Sequence, residues 1–196
     1  MLKKIKNWLE HRDNLIARSR STNTEIVKMT KDQFNSWLDD DKEEFKGDLL
    51  DGKRHGYGVL KWPDGKQYIG DWSHGNRHGC GIVTWQDGQQ YVGEWVDDLA
   101  TGKAILTKTD GSKYAGEFED SMRHGIGSQT YPNGANYTGQ WRDNEPNGWG
   151  VIQTVDGKHY FGKLETDQRN SNRTQFYKNG LEDNVNPVYW EEGEFK

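Results

Sequence analysis

The sequence predicts a mainly β protein: an open, twisted, single-layer antiparallel sheet, built as a solenoid of β-hairpins with N-terminal helices and a C-terminal hairpin cap. Three observations predict it. Aromatic residues recur every 23 positions, at Phe45, Tyr68, Tyr91, Tyr114, Tyr137 and Tyr160. A glycine stands two places after each of them, at Gly47, Gly70, Gly93, Gly116, Gly139 and Gly162. Asp-Gly turn pairs, such as Asp64-Gly65 and Asp87-Gly88, separate the units. A fixed period of this length marks a stacked array in which each unit buries its face against the next.

Composition agrees. Only 31% of the 196 residues are hydrophobic, yet 12% are aromatic and 24 are glycine, so the chain buries rings against backbone and lacks a thick aliphatic core. No stretch approaches the ~18 apolar residues of a membrane span, and no secretory leader is recognisable, so the expected location is cytoplasmic. The single cysteine, Cys80, excludes an internal disulfide. The net charge of −5 conceals an asymmetry: residues 1–20 carry +4, leaving −9 for the remainder.

In chain order, residues 1–44 form the N-terminal segment. Leu2, Ile5, Trp8, Leu9 and Ile16 fall at near-helical spacing, predicting a basic amphipathic helix over 2–16. Glu25 to Met29 alternates as a short strand would. Thr30 and Gln33 form a capping-box start, and Phe34, Trp37 and Leu38 form the inner stripe of a second helix that covers the first strand of the array. The array occupies residues 45–164 as five full units and a sixth begun at Tyr160. In its second unit, Tyr68, Gly70 and Trp72 share one face of a strand, and Gly79, Gly81, Val83 and Trp85 share one face of the returning strand. Gly75 lies in the turn between them. Glycine within a strand here leaves room for a neighbouring ring to lie on the backbone. Residues 165–196 form the cap, with a hairpin from Arg173 to Lys178, Asn179-Gly180 at the turn, and a last strand containing Val188, Tyr189 and Trp190.

The pattern Tyr-x-Gly-x-Trp, x-x-Gly, His-Gly-x-Gly and Asp-Gly at 23-residue spacing resembles the MORN repeat (membrane occupation and recognition nexus). The resemblance covers about 120 residues, with the third unit departing most, Thr101-Gly102-Lys103-Ala104 replacing the His-Gly-x-Gly set. It implies an elongated twisted sheet with an aromatic-lined groove that binds proteins and, in some members, acidic phospholipids.

The chemistry-bearing residues point away from catalysis. His55, His78 and His124 occupy equivalent places in their units, and equivalent places in adjacent hairpins are ~9.5 Å apart. A zinc needs every ligand within ~2 Å. No catalytic set, metal site or cofactor is therefore expected, and the histidines read as turn residues. The expected binding groove is lined by Tyr68, Trp72, Tyr91, Trp95, Tyr114, Phe118, Tyr137 and Trp141, the alternative being that these rings serve only as core. A protein partner, a helix or an extended segment, is the expected occupant. The alternative function is a peripheral tether to acidic phospholipid through Lys3, Lys4, Lys6, Trp8 and Arg12 with the basic turn residues Arg54, Arg77 and Arg123. Three or four cations at ~1 kcal/mol each give only weak attachment. A third reading is a structural subunit of a large assembly, and self-association stays open. Nucleic acid is not expected, because the aromatic body is acidic.

Overall fold

The computed structural model describes residues 43–166, 174–178, 188–191 and 193–195. Among them the chain is all β, with no helix. The expected N-terminal helix over 2–16, the short strand at 25–29 and the second helix from Thr30 lie outside the described residues, except that Glu44, the last residue of the acidic run 39–44 expected to end that helix, begins a strand.

The chain divides into two compact units, residues 1–99 and 100–196. The first contains β1 (Glu44–Leu50), β2 (Lys53–Lys61), β3 (Gln67–Ser73), β4 (Asn76–Thr84) and β5 (Gln90–Val96). The second contains β6 (Leu99–Thr107), β7 (Lys113–Glu119), β8 (Met122–Thr130), β9 (Asn136–Arg142), β10 (Glu145–Gln153), β11 (His159–Thr166), β12 (Thr174–Lys178), β13 (Val188–Glu191) and β14 (Glu194–Phe195). Each unit is an open antiparallel sheet whose strands neighbour one another in chain order. The hairpin register is the one the ring-glycine period requires: Gly58 faces Gly70, Gly70 faces Gly81 and Gly81 faces Gly93. In the second unit Gly116, Gly127, Gly139 and Gly150 form the equivalent row.

Two kinds of turn alternate. At one end, the Asp-Gly turns close as the sequence predicts: Gly65 N–H donates to the Trp62 carbonyl at 3.0 Å, and Asp64 Oδ1 accepts from Lys66 N–H at 3.0 Å. Asp87 and Asp110 do the same for Gln89 and Ser112. At the other end, each hairpin turns on two consecutive left-handed residues, such as Asp97 and Asp98 (φ 48° and 70°) or Asp143 and Asn144 (φ 49° and 73°). Paired positive φ gives the turn twist that matches the strands. Asp and Asn tolerate that region because their short polar side chains bond locally.

The strands are bulged as well as paired. Register shifts fall between Gly70 and Trp72, between Gly47 and Leu49, and between Gly116 and Glu117. In β4 the residue that completes the bulge is Gly79, at φ +59°, and a Cβ there would lie 2.6 Å from Asp71 Oδ2. The carboxylate answers the N–H that the bulge frees: Asp71 Oδ2 accepts from Cys80 N–H at 3.0 Å. Asp48 serves Tyr57 and Gln140 serves Trp149 in the same way, which explains the polar residue before each Trp-type position.

The C-terminal hairpin appears as β12 paired with β13, Thr174 facing Trp190; its Asn179-Gly180 turn lies outside the described residues. A further strand, β14, is added, with Trp190 facing Phe195. Trp190 is buried, its Nε1–H donates to Tyr131 Oη at 3.2 Å, and Asn133 Nδ2 donates to the Gly193 carbonyl. The chain end thus returns onto the Tyr131–Ala135 turn of its own unit.

Candidate functional site: the ring ladder and its outer face

Tyr68, Tyr114 and Tyr137 each lie flat along two glycines, and in the unit of Tyr91 the second place is Ala104. A Cβ on Gly81 would collide with the Tyr68 ring, and one on Gly70 would lie 2.5 Å from the Gly81 Cα. The phenol then reaches back over its own strand: Tyr68 Oη donates to the Asp71 carbonyl at 2.8 Å, Tyr91 to Glu94 at 3.1 Å, Tyr114 to Glu117 at 2.9 Å and Tyr137 to Gln140 at 2.8 Å. Burial pushes all four phenols well above their ordinary pKa, because a phenolate there would be desolvated.

The second aromatic of each unit stands edge-on to the first. Ring centroids are 5.0 Å apart for Tyr68 and Trp72, 4.9 Å for Tyr91 and Trp95, 5.3 Å for Tyr114 and Phe118, and 5.5 Å for Tyr137 and Trp141. Neighbouring hairpins interlock likewise, Tyr68 with Trp95 at 5.8 Å and Tyr114 with Trp141 at 5.0 Å. Such T-shaped pairs set the positive ring edge against the negative face. Trp72 and Trp141 donate their indole N–H to the carbonyls of Gly58 and Gly127. The buried Trp95 Nε1–H has no acceptor among the described residues.

The eight rings predicted as groove lining are therefore brought together within each unit, and they are buried, between 0 and 7% exposed. The basic row supplies much of that cover. Arg54 lies 5.2 Å from the Trp72 ring, Arg77 4.2 Å from Trp95 and Arg123 4.6 Å from Trp141. Arg77 also donates through Nε to Asp98 Oδ1 at 2.8 Å and through Nη2 to the Asp98 carbonyl. Arg123 donates to the Asn144 carbonyl and to Gln129 Oε1, and Arg54 pairs with Glu43 at 2.6 Å. These guanidiniums are committed to rings and turns of their own sheet. Lys3, Lys4, Lys6, Trp8 and Arg12 lie outside the described residues.

The histidines sit at the left-handed turn end. His55 Nδ1 accepts from His74 N–H at 3.4 Å, His78 Nδ1 lies 3.6 Å from Asp97, and His124 Nε2 lies 3.4 Å from Glu119. Among the described residues no three His, Cys, Asp or Glu side chains are grouped to hold a metal ion.

A family model for the MORN repeat matches five consecutive segments, residues 45–67, 68–90, 91–113, 114–135 and 137–159. The chain belongs to the MORN-repeat family. No match was found among curated proteins. The MORN segments coincide with the hairpins, each starting on the aromatic residue that lies on the glycines.

Sequence reasoning missed one feature of this MORN array. On the face of the second unit away from its rings, Trp149 and Phe161 stack at 5.2 Å and 18°, and they are 43% and 55% exposed; Val151, facing Phe161 across the strands, is 37% exposed. The signal was present in the alternation, since Trp149 neighbours Gly150 and so points away from the rings.

Proposed function

We propose that this MORN-repeat protein is a non-enzymatic protein-binding scaffold that presents a rigid sheet to a helix or extended segment of a partner. The stacked Trp149–Phe161 pair with Val151 carries the reading. Large apolar side chains gathered on one exposed face mark interaction surfaces, and aromatic anchors dominate binding energy at interfaces. The buried ring ladder supports it differently. It holds each sheet stiff, so little is lost in ordering when a partner docks.

A partner could use the ring row itself only by displacing Arg54, Arg77 and Arg123 from it, which makes the outer face the easier site. The test is a native pull-down with the full chain and two variants. Trp149→Ala/Phe161→Ala should keep the fold and lose the partner. Trp72→Ala/Trp95→Ala/Trp141→Ala should lose the fold. A folded ring variant that alone loses the partner would move the site to the ring face, and flotation of the full chain on phosphatidylserine vesicles at low salt would favour the tether reading.

A further inference from the structure

The outer face of the first unit, the face away from Tyr68 and Trp72, is covered where the repeat pattern leaves it open. Val59 and Leu60 are adjacent in β2 and point to opposite faces, yet each is 1% exposed. On the outer face Lys61 and Val92 are buried too. The period supplies an internal control: Val151 occupies the place of Val59 four units later and is 37% exposed. A valine on a bare sheet face behaves as Val151 does. Val59 is covered more completely than the sheet covers Val151, and the backbones of β1 to β5 all lie in the sheet itself.

We propose that this outer face is the docking surface for the chain's own segment immediately before β1, with Phe34, Trp37 and Leu38 set against Val59, Ile69, Ile82 and Val92. Two observations select this occupant. The segment enters at the sealed corner, since Glu44 pairs with Lys61 and Lys46 with Val59. Charge is complementary: Lys46 and Lys61 stand on that face, and Asp39, Asp40 and Asp41 directly precede the strand. Reach suffices as well. Residues 39–42 span up to ~13 Å extended and residues 34–38 add at least ~7 Å, together ~20 Å, and β1 to β5 are ~19 Å apart across four strand spacings.

Cys80 lies on the same face, half-buried, and serves as a reporter. In the full chain carrying p-benzoyl-phenylalanine in place of Ile82, irradiation should give an intramolecular cross-link to a peptide from residues 30–42. Cross-links confined to a second copy or to residues 165–196, or none at all, would overturn the proposal. Independently, Trp37→Glu/Leu38→Glu should raise the alkylation rate of Cys80 roughly 10-fold, because thiol reactivity follows access. The near-ultraviolet circular dichroism of the ring ladder should persist. A folded variant with an unchanged Cys80 rate sinks the idea, and should the variant unfold, the cross-link decides.

Discussion

The guanidinium of Arg77 lies 4.2 Å from the ring of Trp95, and the same side chain bonds Asp98 in the turn that follows that ring. One residue thus ties two consecutive hairpins by face and by edge. The backbone repeats the tie at a spacing of 21 residues: Asp98 N–H donates to the Arg77 carbonyl, Ser121 to Ala100 and Asn144 to Arg123. Side chains return it, Asp98 Oδ1 and Asn144 Oδ1 accepting from the N–H groups of Arg77 and Arg123.

Arg77→Ala should cost about 2 kcal/mol, about 1 from the ring contact and about 1 from the turn hydrogen bonds. Arg77→Lys should recover less than half of that loss, because an ammonium cannot bond Asp98 as a fork while lying on an indole. Urea denaturation of the full chain followed by tryptophan fluorescence measures both. A Lys variant as stable as the unsubstituted chain would show that the charge alone matters.

Glycine substitutions should separate two physical causes. Gly81→Ala forces a methyl into the Tyr68 ring and should destabilise by about 2–3 kcal/mol. Gly52→Ala meets nothing within 4 Å and is penalised only for its φ of +73°, about 1 kcal/mol. Thermal melts of the two variants should therefore differ clearly, and matching shifts would contradict the close approach of the ring.

Alkali should unfold the array cooperatively. The folded pKa of Tyr68, Tyr91, Tyr114 and Tyr137 is raised above the unfolded value of about 10. Their contribution is complete below that value. It falls as pH rises past about 10, because the unfolded chain releases protons that the folded one retains. Tyrosinate absorbance at 295 nm should appear together with loss of sheet signal. Ionisation of all the tyrosines near pH 10 with the sheet intact would contradict their burial.

Trp190→Ala should cost about 3–5 kcal/mol in the second unit, since it removes a buried ring and the donor to Tyr131 Oη. Trp149→Ala, on the exposed face, should cost under about 1 kcal/mol. Differential scanning calorimetry of the two variants checks the contrast, and comparable losses would mean that Trp149 is covered in solution.

The sequence by itself determined the hairpin period, the ring-glycine register and the Asp-Gly turns. Each rests on local geometry: side chains alternate across a strand, glycine leaves space under a ring, and Asp-Gly bends the chain within four residues. The site was less legible. Whether Tyr68 and Trp72 face a ligand or a guanidinium depends on where Arg54 and Arg77 fold, and a long side chain's path is decided by neighbours one hairpin away. The contrast between Val59 and Val151 is likewise invisible in the repeat, which gives both the same place. Exposure belongs to what lies on top of a residue, and the residues on top are remote in sequence; Trp190, which meets Tyr131 across 59 positions, is the clearest case. Local alternation determined which way each side chain points, and only the tertiary structure decided what it meets.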